Sequence, residues 1–457
     1  MSFRLNRRRS SGTGSNLLFR RCSMSQRDFE QYDFPANPPS VFQFHLLYVV
    51  LLNEYHSSVF HLPLRPKFLC QALCVITTPI VLSLVSSVER CPSESFSTRF
   101  TCFESSLLIC LFYFLGVLLG FFPGNLIFAH WVGLMFWLSL LSLFVPLLLL
   151  LLPPRLSSSV SPPSPAGDDF SVSAALSVSS EALPPGSPAP SLISQLFYGV
   201  HLQPVLLNVD LKAFLTVRVS LSLWALFLIS AQFVHHKFVL TLSVPTFSPS
   251  IPLLTTSALQ FFYIFRRQCF EHLLIDGSDN KNDRAGFYRL FSVLVFLPTV
   301  YLVPISIGTL STDVSQRPTI IYVGLFLIGL FFQCLNTAID LQRHKFRSSN
   351  GDMKIGGKDP FYICTRFRKK SGESAVSLLL GSGYWAMARH PNYTAEWLSF
   401  LAWTLPWTRP MAFLPLAFLL ALFWVRIKRD ELRCFALYGQ LWAQHCARVP
   451  FILFPGF

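Results

Sequence analysis

Residues 125–152 read NLIFAHWVGLMFWLSLLSLFVPLLLLLL, a run with no Asp, Glu, Lys or Arg. It exceeds the roughly 20 apolar residues needed to cross a bilayer. In lipid, every backbone polar group must be satisfied within the protein, so a chain carrying such a run is expected to be built of helices. Working outward, further apolar runs lie near residues 68–88, 105–122, 213–235, 288–310 and 317–338, with shorter ones near 41–51, 250–265, 397–406 and 411–425. Pro406, Trp407 and Pro410 interrupt the last two, which points to a helical hairpin or to broken helices lining a cavity. The expectation is an all-α, polytopic membrane protein with about eight to ten transmembrane helices. Composition agrees, because 52% hydrophobic residues, 46 Phe and only 13% charged residues exclude an ordinary soluble domain.

The polar remainder is organised. Arg4, Arg7, Arg8, Arg9, Arg20 and Arg21 lie within residues 1–40 with no following apolar core or small-residue cleavage site, so this segment is expected to be a disordered basic cytosolic tail rather than a cleaved signal. The net charge of +14 concentrates there and between Arg343 and Lys370, and excess Lys and Arg mark the cytoplasmic side of a membrane protein. No recognition module accompanies this charge, so nucleic acid is not expected as a partner. The 11 cysteines include no C-x-x-C pair, and no Walker loop, dinucleotide fingerprint or paired-His metal motif is present. Residues 153–192 are rich in Ser and Pro and form a linker that cannot bury enough apolar surface to fold. It separates the N-terminal transmembrane region, 41–152, from residues 193–338 and 339–457, where polar groups recur at the edges of spans.

Near lipid such groups are costly and mark sites by default. Gly383-Tyr384-Trp385-Ala386-Met387-Ala388-Arg389-His390-Pro391-Asn392-Tyr393 is followed by Glu396 and Trp397. Arg429-Asp430-Glu431-Leu432-Arg433-Cys434 leads through Tyr438-Gly439 and Trp442 to Val449-Pro450 and Pro455-Gly456-Phe457. Upstream, Arg343 and Arg347 in Asp340-Leu341-Gln342-Arg343-His344-Lys345-Phe346-Arg347 share one helix face, where two guanidinium forks can grip phosphate oxygens or face lipid head groups. Earlier blocks are Tyr198-Gly199-Val200-His201-Leu202-Gln203-Pro204 with Asp210, Lys212, Phe214, Arg218 and Trp224, and Asn282-Asp283 with Gly286-Phe287, Phe291, Phe296, Pro298 and Tyr301. On the residues alone, Asp210 and Lys212 also fit the start of a span, and Tyr301 also fits an interfacial anchor.

Together these blocks resemble the sterol reductase family of ergosterol biosynthesis, most fully over Asp340–Phe457 and less so over Phe197–Tyr301. The segment from Gly351 to Gly383 is similar in plan to the 7-dehydrocholesterol reductase branch, in which a strandlike loop precedes the Trp-containing entry. The resemblance implies reduction of a sterol ring double bond, delta-7 in preference to delta-14 or delta-24, in the endoplasmic reticulum membrane, with NADPH as cofactor. It makes 193–338 the sterol-pocket region and 339–457 the cofactor-binding and catalytic region. The cofactor positions it implies are Arg343, Arg347, Leu380, Trp385, Asn392, Tyr393, Asp430, Cys434 and Tyr438, with Arg389 and His390 orienting them. The implied chemistry is protonation of one alkene carbon and hydride delivery to its neighbour, for which Tyr301 and Glu396 are the candidate proton donors. Glu396 is also open to a structural ion pair with Arg389. Gln203, Val205, Val293 and His445 depart from the family pattern, which leaves a sterol-binding relative without reductase activity as an alternative, with an isoprenylcysteine-type methyltransferase behind it.

Overall fold

The computed structural model describes residues 98–151, 191–206, 209–234, 250–275, 277, 283–310, 317–368, 374–454 and 456. The basic tail, the expected spans near 41–51 and 68–88 and nearly all of the Ser/Pro linker lie outside the described residues. The structure is 74% helix and 5% strand, which makes it all-α. In chain order the elements are α1 (Thr98–Leu118), α2 (Trp131–Leu151), α3 (Leu192–Tyr198), a short pairing of β1 (Val205–Leu206) with β2 (Val209–Asp210), α4 (Leu211–Gln232), α5 (Ile251–Cys269), α6 (Phe287–Tyr301), α7 (Val303–Leu310), α8 (Thr319–Ser348), the antiparallel hairpin β3 (Tyr362–Arg368) and β4 (Ser374–Leu380), α9 (Pro391–Thr404), α10 (Leu414–Tyr438) and α11 (Gln440–Arg448).

Among the described residues, α2, α4, α8 and the Pro410–Tyr438 segment containing α10 are long and apolar enough to cross a membrane. The pair α6 and α7, bent by 43° at their junction, makes a fifth span if taken as one. Their surroundings differ. The most apolar window of α4 is 89% buried inside the protein, whereas that of α2 is 28% buried and turns Phe136 and Phe144 outward. Along α8, Ile320, Leu327 and Phe331 are exposed while Tyr322, Gly329, Gln333, Asn336 and Thr337 are buried, so one apolar face meets lipid and a mixed face meets protein. The central core gathers Trp224 of α4, Tyr263 of α5, Tyr301 of α6 and Phe400 and Trp403 of α9.

Local chemistry sets the helix boundaries. Ser250 and Asp210 accept from the backbone N–H of Leu253 and Ala213, at 3.3 and 3.0 Å, and so cap α5 and α4. Pro391 begins α9, where its missing N–H costs nothing. The chain between α9 and α10 folds back through a short helical turn, Pro410–Phe413, giving the helical hairpin expected from its prolines. Lys212 is fully buried, and its Nζ donates to the carbonyls of Leu202 at 2.7 Å and Asp283 at 3.0 Å. The span-start reading of Asp210 and Lys212 therefore holds, with Lys212 tying α4 to the segment entering α6. Gly199 and Gly286 approach so closely that a Cβ on Gly286 would lie 2.2 Å from the Tyr198 carbonyl carbon. Both α4 and α6 contain a π turn, at Phe214–Val219 and Ser292–Phe296, and the two turns touch. Val293 is buried there, and its carbonyl accepts from Ser220 Oγ of α4 at 2.9 Å.

Candidate functional site

The hairpin β3–β4 delivers the chain to Gly383, whose φ of 65° favours glycine and which lies against the end of the Gln342 side chain, 2.5 Å from a hypothetical Cβ. Gln342 Oε1 then accepts from the Tyr384 N–H at 3.0 Å. This turn lays Trp385 against α8, where its indole N–H donates to the Ile339 carbonyl at 3.1 Å. The guanidinium of Arg343 sits over the Trp385 ring, 4.4 Å from its centroid. Leu380 packs with Trp385, Ile339 and Phe346 in one small cluster. Arg347 lies one turn beyond Arg343 on α8, within electrostatic reach of Cys434 and Tyr438. Asp430 pairs with Arg433 at 3.8 Å on α10. The fold thus brings the expected residues of α8, the hairpin exit and α10 to one end of the helical body.

The start of α9 supplies the rest. His390 and Tyr393 stack with their planes 5° apart, and Tyr393 stacks in turn on Phe423 of α10 at 4.4 Å. Burial, with the charges of Arg343 and Arg389, lowers the His390 pKa to about 3, so the imidazole is neutral at physiological pH. Asn392 Nδ2 donates to Asp340 Oδ1 at 3.0 Å, and Asn336 Nδ2 donates to the Asn392 carbonyl at 2.7 Å. The backbone N–H groups of Arg389 and His390 donate to the carbonyls of Phe451 and Ile452, both at 2.9 Å, which fixes the entry to α9.

Arg389 does not pair with Glu396. Its Nη1 donates instead to Glu431 Oε2 and Cys446 Sγ, both at 2.9 Å, and joins α9 to α10 and α11. Glu396 faces the opposite way, toward α5, where it pairs with Arg267 and accepts from the Tyr263 hydroxyl at 2.7 Å. One turn of α9 separates Asn392 from Glu396, so the two clusters adjoin. The anchor reading of Tyr301 fails as well, because the side chain is 7% exposed and its ring packs on Trp224 and Phe400, 5.4 and 4.9 Å away. Tyr263 packs on the same two rings. Tyr301, Tyr263 and Glu396 therefore form one buried polar group in an aromatic setting.

Three members of this region were absent from the sequence-based set: Tyr263, Arg266 and Arg267. Arg266 is 6% exposed and donates through Nη1 to Asn336 Oδ1 at 2.5 Å and Thr337 Oγ1 at 2.9 Å. The available signal was a pair of arginines closing an apolar stretch that also carries Thr256, Gln260 and Tyr263 at helical spacing. His445, a departure from the family pattern, is buried and stacked on Trp442 at 5.3 Å. Burial, then the charge of Arg389, brings its pKa down to about 4.

Residues 170–457, more than half of the chain, match the family described as ergosterol biosynthesis ERG4/ERG24. The chain belongs to that family. It is 30% identical over 270 residues to the 7-dehydrocholesterol reductase of Arabidopsis thaliana, covering 58% of this chain and 60% of that protein. Over 261 residues it is 28% identical to the Delta(14)-sterol reductase of Methylotuvimicrobium alcaliphilum, covering 57% of each chain. Against the mouse Delta(14)-sterol reductase TM7SF2 it is 26% identical over 285 residues, covering 62% and 63%. The chain thus spans about three fifths of the length of the curated relatives it matches. The matched ERG4/ERG24 region contains every site residue described above.

Proposed function

We propose that this chain is a sterol reductase of the endoplasmic reticulum membrane that uses NADPH to saturate a ring double bond, at delta-7. The observation that carries this reading is the junction of two clusters on α8 and α9. A cation stacked on an indole, Arg343 on Trp385, adjoins a buried tyrosine–carboxylate group. The first suits a phosphate-bearing flat cofactor and the second a proton-dependent reaction on an apolar substrate. The similarity to a 7-dehydrocholesterol reductase, together with the hairpin between α8 and Trp385, supports delta-7 over delta-14.

The residues present fit the cofactor, because His390 Nε2 and Asn392 Oδ1 are buried with no hydrogen-bond partner among the described residues. Arg343 and Arg347 would hold phosphate oxygens, Trp385 a planar face, and Asn392 and Asp430 amide or hydroxyl groups. Leu380, Tyr393, Cys434 and Tyr438 would form walls, with Arg389 and His390 fixing the loop. When bound, NADPH supplies hydride. Of the two candidate donors, Glu396 takes the Arg267 guanidinium and the Tyr263 O–H on the same oxygen, Oε1, an arrangement that favours the carboxylate. Tyr301 holds its proton on Oη within the same aromatic group, so Tyr301 is the donor and Glu396 keeps the group polarised. The basic tail and residues 339–370 face the cytosol, and the bilayer supplies the sterol.

A second reading, sterol binding without reduction, draws on the buried, apolar Val293, where the family pattern has an intramembrane Asp. Both are tested by profiling host sterols in yeast expressing the parent chain or its Trp385→Ala and Asp430→Ala variants. Loss of the delta-7 bond that either variant abolishes is the expected result. An unchanged profile from correctly inserted protein overturns the reductase reading.

A further inference from the structure

Arg266 enters the interior from α5, between the cluster of Arg343, Trp385 and Asn392 and that of Tyr263 and Glu396. Its guanidinium lies 5.2 Å from the Tyr263 ring centroid, and its Nη1 is spent on Asn336 and Thr337 of α8. The opposite edge is different. Nε and Nη2 are both buried and have no hydrogen-bond partner among the described residues. That edge carries two parallel N–H bonds, the fork that matches oxygen acceptors. Neither nearby carboxylate hydrogen-bonds that edge, because Glu396 is engaged by Arg267 and Tyr263, and Asp340 by Asn392 and Arg343. An unanswered guanidinium edge in a low-dielectric interior is costly, so it is retained where a ligand answers it. Asn336, which accepts from Arg266, donates to the carbonyl of Asn392, whose own Oδ1 is buried and without a partner among the described residues. A donor edge and an amide acceptor thus flank one asparagine.

A primary carboxamide offers the complement, an oxygen that accepts and an N–H that donates. Resting on the cofactor reading above, we propose that Arg266 is a positioning residue for the nicotinamide carboxamide. Its Nε–Nη2 edge donates to the amide oxygen while Asn392 Oδ1 accepts from the amide nitrogen. The ring would then be fixed between the phosphate-holding end of α8 and the Tyr301–Tyr263–Glu396 group.

The test compares full-length protein in detergent with its Arg266→Lys variant, which keeps a cation able to reach Asn336 and loses the fork. Affinities are measured by tryptophan fluorescence for NADPH and for the adenosine bisphosphate half of the cofactor, which lacks nicotinamide. The expected result is about tenfold weaker NADPH binding in the variant, the scale of a charge-assisted hydrogen bond, with bisphosphate affinity unchanged. A cofactor analogue bearing an acetyl group in place of the carboxamide keeps the oxygen and loses the N–H, so it should bind the parent more weakly than NADPH, a penalty that should persist in Arg266→Lys and shrink in Asn392→Ala. Unchanged NADPH affinity in the variant, or an equal loss for both ligands, overturns the proposal. A parent that binds the bisphosphate as tightly as NADPH overturns the carboxamide contact while leaving the phosphate site standing. A parent that binds neither overturns the cofactor reading and this inference with it.

Discussion

Lys212 and Arg266 are both buried, and they are treated differently. Lys212 at the start of α4 donates to two backbone carbonyls and serves as a staple between segments distant in sequence. Arg266 near the end of α5 spends one nitrogen on α8 and leaves the opposite edge of its guanidinium without a partner among the described residues. Both pay the desolvation of a charge, yet Arg266 is answered only at Nη1 among the described residues. Buried charge therefore does not by itself distinguish structure from site; the completeness of its hydrogen bonding does.

The largest expected effect tests whether the region around Arg266 is as buried as described. Arg267→Leu strands the Glu396 carboxylate and should cost about 3–5 kcal/mol in unfolding of the purified protein. Adding Glu396→Leu should return much of that loss. A single variant as stable as the parent would break the comparison from the arginine side.

Next comes Lys212→Met, which leaves the Leu202 and Asp283 carbonyls without their donor and should destabilise by about 2–3 kcal/mol. The remaining folded protein should bind NADPH with parental affinity. Weakened binding at unchanged stability would place Lys212 in the site and erase the contrast.

Smaller still, Arg343→Gln removes the cation above the Trp385 ring and should weaken NADPH binding about tenfold in a fluorescence titration, with little change in unfolding because the Arg343 side chain is 39% exposed. Parental affinity would detach the Arg343–Trp385 pair from the cofactor.

At neutral pH the smallest effect belongs to the histidines. Folded His390 and His445 take up a proton only near pH 3 and 4, well below the value of about 6.5 for an unfolded histidine. Protons then favour the unfolded chain, so stability is flat above about pH 6.5 and falls as pH drops toward 4. Thermal unfolding between pH 8 and 4 should show this slope, and His445→Gln should reduce it to the part due to His390. An acid slope undiminished in His445→Gln would remove His445 from the account.

Much of the fold was legible because a bilayer imposes length and apolarity on each segment separately, as in 125–152, and because Pro406 and Pro410 mark the bend between α9 and α10. The Arg343–Trp385 pairing was foreshadowed by motif, since a glycine turn returns the chain to α8. The tie between Arg267 and Glu396 was not, because the partners are 129 positions apart and only the packing of α5 on α9 brings them together. Proximity in sequence favoured Arg389 for Glu396, but Arg389 precedes α9 and the backbone at His390 is non-helical (φ −132°, ψ 56°), so the seven-residue spacing does not put the two on one helix face. Arg389 instead found Glu431 on α10. Likewise, Tyr301 resembled an interfacial anchor because a lone tyrosine in an apolar run carries no sign of the aromatic rings contributed by α4 and α9.

The touching π turns of α4 and α6 govern where this chain can change length. A wide turn holds one extra residue, so losing a single codon within Phe214–Val219 or Ser292–Phe296 restores an ordinary helix with both ends keeping their faces. The same deletion in the middle of α8 would swing Asn336, Asp340 and Arg343 about 100° around the axis, away from everything they touch. Among relatives of differing length, single-residue gaps inside spans should gather at those two turns and be absent from α8.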